Sequence, residues 1–378
     1  MRILRFMGYP INNCSTLERM VLAQASELAR RGHHVEIAFD GVVRAEAERE
    51  ARAFAPDVPL HVDLPPLSGI TRPLQLLRYV RAARRLIVDG KFDIVHLYFN
   101  PNARWLNQLA RWLPQVRFVR TIGTTPLIRG AAPAVVGLKR LRMVADLAHM
   151  GRVICVGQHI ADMLAGYGVP APRLAVVPNA TDTERFRRRA PHQAGARLRL
   201  GFVGRLAPEK NIELLIDGVG LLVREHGLRD VHLTLVGDGV LRAPLQARVA
   251  QQGLAEHVSF AGQVSDIPAL MEREFDLYVQ ASHNEGCPAA VIEAMACEVP
   301  VVLSDIDGHR QVAQPERHAL YFAAGDAADF ARSIVAARAD YAGVRERAGR
   351  ARSHIVAGYS VPAWIDRELQ VYQQLMAA

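Results

Sequence analysis

Cysteine is scarce: Cys14, Cys155, Cys287 and Cys297 are the only four in 378 residues. No two stand at the C-x-x-C spacing of a zinc or redox site, so they read as buried or incidental thiols of a reducing compartment. No apolar run reaches the roughly 18 residues that a membrane-spanning helix needs. The opening MRILRFMGYP places Arg2 and Arg5 inside its short apolar run, which suits a first strand and not a secretion signal. The expectation is a cytoplasmic protein. Internal repeats and low-complexity tracts are absent as well. So is any interleaving of aromatic and basic residues or other nucleic-acid signature, so nucleic acid is not an expected partner.

What is present is core. Half of the residues are hydrophobic, enough for packed globular interiors, and the length exceeds one ordinary core, so two domains are expected. The net charge of +8 is unevenly placed. Residues 1–180 carry 24 Lys and Arg against 13 Asp and Glu, a net of +11, and the remainder carries 22 against 25. The basic half is the one expected to meet something anionic, an acceptor or a membrane surface.

Short runs rich in Val, Ile and Leu alternate with amphipathic segments along the whole chain. They fall at 2–7, 34–39, 92–99, 116–122, 152–157 and 174–177, then at 198–203, 231–236, 257–261, 275–280, 299–303 and 319–322. Between the first two, Leu17, Val21, Ala25 and Leu28 recur at helical spacing, and Gly32 ends that helix. Alternation of this kind predicts an α/β fold of parallel sheets covered on both faces, two doubly wound domains. The seam RFRRRAPHQAGAR at 185–197 reads as the linker. The expected division is an N-terminal domain over 1–184 and a second domain over 197–361. A terminal helix over 362–378 is expected to return to the first domain. Open α/β sheets bind ligands beyond the carboxyl ends of their strands, so two such sheets facing each other are expected to make a cleft.

Chemistry-bearing residues do follow the strands. LGFVGR ends in Gly204 and Arg205, and Lys210 comes five positions later, just before an apolar-periodic helix. A guanidinium that grips two oxygens, an ammonium and helix N–H groups suit a diphosphate. The competing reading is an exposed Arg and Lys on a solvated loop. The second element is HNEGCPAAVIEAMACEVPVV, with Glu285 at a strand end and Glu293 about two helical turns into the next helix. Pro288 suits the first turn. Gly286, lacking a side chain, lets the amides at Gly286 and Cys287 approach a ligand. The two carboxylates can hold sugar and ribose hydroxyls. The alternative for Glu293, a helix-surface acid, sits badly with its apolar neighbours Val291, Ile292, Ala294, Met295 and Ala296.

The run E-G-x-x-x-x-x-x-E, with G-R-x-x-x-x-K about eighty residues earlier, resembles the retaining glycosyltransferases of the GT-B fold, in the large family often called group 4. VVPNATDTERF, LTLVGDG and VSFAGQV extend the resemblance over almost the whole chain. It implies that Arg205 and Lys210 neutralise the diphosphate and that Glu285 with the amides of Gly286 and Cys287 holds the donor sugar. It further implies that Glu293 binds ribose and that the loop at Gln263 and Val264 faces the base. Transfer from a nucleotide-diphosphate sugar to a hydroxyl, with retention and in glycan or glycoconjugate biosynthesis, is the implied activity. No cofactor and no metal are expected, because fixed cations stand at the leaving group.

The first half departs from the family pattern. Where a Gly-Gly pair is usual after the first strand, this chain reads Tyr9-Pro10-Ile11-Asn12-Asn13-Cys14-Ser15, and Asn12 and Asn13 are the candidates to replace it. Where a sugar-contacting His is common, in TIGTTP, Gly123 stands. His96, in DIVHLYFNPN, matches an earlier family His; a ligand role and a packed strand-end histidine both remain open. These departures support one alternative, a non-catalytic nucleotide-sugar-binding member; the other, a natural-product enzyme with a small soluble acceptor, is the reading left if the protein makes no membrane contact. Asp305-Ile306-Asp307 spells a metal–diphosphate motif of another fold and is set aside, as is the pair His33-His34, which lacks a third ligand. Finally, residues 72–88 form an amphipathic helix pattern. Leu74, Leu77 and Val80 line one side, expected to cover the first sheet, and Arg78, Arg81 and Arg85 line another. Solvated arginines are one reading. Peripheral contact with the anionic inner face of a membrane is the other.

Overall fold

The computed structural model describes residues 1–378 apart from 12–15, 42–43, 66–72, 99–102, 125–132, 191–194, 196 and 378. The chain divides into two compact units, Met1–Pro178 with Val361–Ala378, and Asn179–Ser360. In the first, strands and helices alternate: β1 (Arg2–Phe6), α1 (Thr16–Arg30), β2 (His34–Ala38), α2 (Ala45–Phe54), β3 (Leu60–His61), α3 (Pro73–Asp89), β4 (Ile94–Leu97), α4 (Ala103–Trp112), β5 (Arg117–Ile122), α5 (Pro133–Leu147), β6 (Arg152–Cys155), α6 (Gln158–Gly166) and β7 (Leu174–Val176). Their sheet has the order β3-β2-β1-β4-β5-β6-β7, and every pairing in it is parallel. Strands such as IVHL in β4 and RVIC in β6 are buried along nearly their whole length, which is why they read as unbroken apolar runs. The two-residue β3 escaped the sequence because two residues carry no periodicity.

The second unit repeats the scheme with β8 (Leu198–Val203), α7 (Ile212–Arg224), β9 (Val231–Val236), α8 (Arg242–Gln251), β10 (Val258–Gly262), α9 (Ile267–Glu274), β11 (Leu277–Gln280), α10 (Ala289–Ala296), β12 (Val301–Ser304), α11 (Asp307–Val312), β13 (Ala319–Phe322), α12 (Ala327–Ala339) and α13 (Tyr341–Gly358). The order is β10-β9-β8-β11-β12-β13. Asp266, Asp326 and Asp340 cap α9, α12 and α13 by accepting backbone N–H groups of the first turn. Leu200, Phe202, Leu233, Leu235, Leu277 and Val279 form the sheet side of the core, against Ile212, Leu215, Val219, Phe330 and Ile334 of the covering helices. The start of the Arg-rich seam belongs to this unit. The N–H groups of Arg189 and Ala190 donate to Glu272 Oε1 at 2.7 and 2.6 Å.

The last helix, α14 (Val361–Ala377), belongs to the first unit, and a buried polar knot ties it there. Arg5 of β1 is wholly buried and donates to Glu368 of α14. Tyr98 O–H donates to the same carboxylate at 2.6 Å. The Arg5 guanidinium also stacks 5.1 Å from the centroid of the Trp364 ring. Burial alone would raise Glu368, but Arg5 and the His96 and Tyr98 hydrogen bonds outweigh it and hold the carboxyl below its ordinary range.

The face of α3 differs from the expectation. Tyr79, Ala83 and Ile87 form its buried stripe, whereas Leu74 is 73% and Leu77 is 44% exposed. The register follows the aromatic: Tyr79 O–H reaches the buried Asp40 carboxylate at 2.8 Å, and burial pushes Asp40 up to about 6. Leu74 and Leu77 therefore do not cover the sheet, and share the solvent side with Arg78, Arg81 and Arg85.

Candidate active site

In each sheet the chain winds outward in both directions from one pair of neighbours, β1 and β4 in the first unit and β8 and β11 in the second. At such a switch point the loops after the two strands diverge and leave a crevice. The loops after β8 and β11 hold most of the charged candidates.

Gly204 follows β8 directly. Its N–H donates to Val236 O at 2.9 Å, and Gly237 N–H donates to Gly262 O at 2.7 Å, so the ends of β8, β9 and β10 are laced together. Gly237 has φ +124° and a Cβ there would lie 2.0 Å from Gly204 O, so only glycine permits this approach. Val264 stands two residues past β10, half-buried. Arg205 is largely exposed and turned toward Glu209, its Nη2 2.7 Å from Oε1. A single 3₁₀ turn, Pro208–Lys210, and the left-handed Asn211 at φ 49° lead into α7.

Lys210 Nζ lies 2.6 Å from Glu285 Oε1. The same oxygen accepts from Gln280 Nε2 and Ser282 Oγ, both at 2.7 Å. Glu285 is thus held by three donors while its loop stays partly open. His283 N–H donates to Glu209 O at 3.0 Å, stitching the loop after β11 to the loop after β8. Cys287 is buried, which pushes its thiol up to about 12, so it is an inert packing group. Its carbonyl accepts from Asn179 Nδ2 at 2.7 Å. Pro288 caps α10 from just outside, with φ −73° and ψ 108°, one position before the first turn expected of it. Glu293 is 2% exposed within α10, as its apolar surroundings required. With Glu285 it adds to the burial that pushes Tyr278 well above its ordinary value.

Other candidates fall elsewhere. Asn12 and Asn13 lie outside the described residues. His96 is wholly buried in the first unit, its Nδ1 2.6 Å from Tyr372 Oη and its Nε2 2.7 Å from Thr121 Oγ1. Of its two readings, the packed histidine is the one this geometry matches. Asp305 is paired to Arg310, Oδ2 to Nη2 at 2.6 Å. Among the described residues no group of three His, Cys, Asp or Glu is arranged to hold a metal ion. Gln280 and Ser282 bond Glu285 directly, Gly308 abuts its backbone, and Ser304 and His309 stand behind Ser282; none of the five is a candidate from the sequence. For Gln280 a signal existed, a lone amide ending the apolar strand LYVQ. For the others sequence spacing carries none.

Comparison with known proteins identifies the family of the chain. The family described as glycosyltransferase family 4 matches residues 17–185, and that described as glycosyl transferases group 1 matches 197–340. A D-inositol 3-phosphate glycosyltransferase of Actinosynnema mirum is 30% identical over 320 residues, covering 76% of this chain and 75% of its own. A phosphatidyl-myo-inositol mannosyltransferase of Mycobacterium leprae is 27% identical over 99% of this chain and 96% of its own. Among solved structures, Anabaena HepE in complex with UDP-glucose superposes with a TM-score of 0.77 at 18% identity, over 100% of both chains. The fold is that of GT-B glycosyltransferases. The chain belongs to glycosyltransferase family 4, with the group 1 module as its second half.

Proposed function

We propose that this glycosyltransferase moves a sugar from a nucleoside diphosphate sugar to an acceptor hydroxyl, with retention of configuration and without a divalent metal, in glycan or glycoconjugate synthesis. The observation that carries the reading is the Lys210–Glu285 pair. Residues 75 apart in sequence stand 2.6 Å apart at the switch point, and Gly204 and Arg205 open the loop that carries Lys210. As the glycosidic bond breaks, negative charge gathers on the departing diphosphate and positive charge on the sugar ring. Lys210 and Arg205 meet the first, and Glu285 the second, as fixed charges that need no reorganisation. Glu293, deeper on α10, takes the ribose hydroxyls, and Val264 lies beside the base. The UDP-glucose complex of HepE supports such a donor. Incubation with UDP-, GDP- and dTDP-sugars tests this: slow release of the nucleoside diphosphate, unaffected by EDTA, with the sugar freed as the anomer of the donor, is expected. No release from any donor, or the inverted anomer, overturns it.

A second reading concerns the acceptor. Leu74 and Leu77 of α3 and Leu138 and Leu141 of α5 are all exposed, among Arg78, Arg81, Lys139, Arg140 and Arg142. Apolar side chains set among cations suit an anionic bilayer, and no helix among the described residues is long and apolar enough to cross one. A lipid-linked acceptor reached by peripheral attachment follows, in keeping with the phosphatidyl-inositol mannosyltransferase likeness. Co-sedimentation with anionic vesicles at low salt, weaker with neutral ones, is expected. Equal failure with both removes it and leaves a small soluble acceptor as the better reading.

A further inference from the structure

His309 is wholly buried in the first turns of α11, yet it neighbours charge. Its Nδ1 lies 2.8 Å from the Ser304 carbonyl oxygen, an atom that only accepts, so the ring proton sits on Nδ1. Burial pushes the imidazole down to about 4, with Lys210 adding to the push and Glu285 and Asp305 opposing it. The ring is therefore neutral near pH 7 and its tautomer is fixed. From Ser304 the contact continues: Ser304 Oγ donates to Ser282 O at 2.8 Å, and Ser282 Oγ donates to Glu285 Oε1 at 2.7 Å. The preceding residue presses on the same loop from its backbone, for a Cβ on Gly308 would lie 2.3 Å from Glu285 O.

A hydrophobic side chain of similar volume would fill this space without the polar cost. His309 Nε2 is a buried nitrogen with no hydrogen-bond partner among the described residues, which is unfavourable in itself. We propose that His309 is a positioning residue of the donor-sugar site. It fixes, through Ser304 and Ser282, the loop that aims Glu285. Being neutral, it does so without competing with Lys210 for the carboxylate. The inference rests on the nucleotide-sugar reading above and adds that the sugar end of the site depends on His309 while the nucleotide end does not.

The test compares wild type, His309→Phe, His309→Asn and Ser304→Ala, with UDP and GDP against UDP-glucose and GDP-mannose as probes. His309→Phe keeps affinity for the nucleoside diphosphate within about twofold, and its kcat for donor hydrolysis falls about 10- to 100-fold, the scale of a misplaced reacting group. His309→Asn, which restores a donor to the Ser304 carbonyl, recovers most of that loss. Ser304→Ala, which leaves the ring in place, moves kcat the same way. Wild-type kcat and KM in His309→Phe overturns the proposal, as does a folded His309→Asn no better than His309→Phe. If His309→Phe does not fold, an unchanged kcat in Ser304→Ala overturns it. Wild-type protein that binds neither the diphosphates nor their sugars removes the nucleotide-sugar reading itself, and this one with it.

Discussion

Lysine is rare in this chain: of 46 basic residues only Lys91, Lys139 and Lys210 are lysines. Among the described residues the other pairs of a Lys or Arg with a carboxylate, such as Arg199–Asp276 and Arg248–Asp217, are made by the planar fork of arginine. At Lys210 a compact ammonium shares the Glu285 Oε1 atom with Gln280 Nε2 and Ser282 Oγ, a single-point contact that the two-pronged fork of arginine does not match. Lys210→Ala should cost roughly 2–4 kcal/mol of transition-state stabilisation, and Lys210→Arg should recover little of it. Near wild-type turnover of either at saturating donor would sink the diphosphate role. The two acids separate by depth. Glu285 sits at the loop edge and should act on the reacting sugar, so Glu285→Gln lowers kcat most. Glu293 makes a contact that is alike in ground and transition state, so Glu293→Gln raises the donor KM most. Steady-state kinetics showing the reverse would exchange the two roles.

At the scale of elements, the strands were legible because a strand buried on both faces leaves an unbroken apolar run. β8, β9 and β13 fall at the positions their sequences mark. The loops after them were legible for a different reason: in a doubly wound sheet, charge directly after a strand has one place to go. What could not be read was the layer behind those loops. Ser304 and His309 come up behind Ser282, itself bonded to Glu285, because β12 lies beside β11 in the sheet, and strand adjacency is a fact of topology that linear spacing does not contain. Helix α3 shows the other limit. Two apolar stripes compete on it, and Tyr79 settles the register because its hydroxyl finds Asp40 inside. Tyr79→Ala should therefore destabilise by about 3–5 kcal/mol. Replacing both Leu74 and Leu77 by Ser should stay within about 0.5 kcal/mol per site while weakening vesicle binding. Urea denaturation of both variants checks the assignment; the opposite order of costs would restore Leu74 and Leu77 to the core.

For the molecule as a whole, the buried imidazoles set how stability depends on pH. Burial lowers His96 in the first unit and His309 and His318 in the second, the last two to about 4, and the His354 ring stacked 4.4 Å from His318 adds to its shift. In the unfolded chain each titrates near the ordinary histidine value of about 6.5. Between that value and about 4 the unfolded state binds protons that the folded state refuses, so stability is full above about pH 6.5 and falls as pH drops through this window. For His309 alone the loss by pH 4 is roughly 3 kcal/mol, from 1.36 kcal/mol per pKa unit. Asp40, pushed up to about 6, takes up its proton earlier in the folded than in the unfolded state and so offsets one of these rings in the same window, whereas the ion-paired carboxylates act lower. Glu368 beside Arg5 and Asp305 beside Arg310 are held below their ordinary range, so their contribution persists through the histidine window and is lost only as pH falls through their own depressed values. Acid unfolding should accordingly begin well above the carboxylate range. The urea midpoint, measured at about pH 7.5, 6 and 5, should fall steadily, and His318→Gln, which removes one titrating ring while keeping a polar side chain, should flatten the slope. A midpoint constant from about pH 7.5 to 5 would mean that these rings are solvated in the folded protein and that the packing around His309 is not as described.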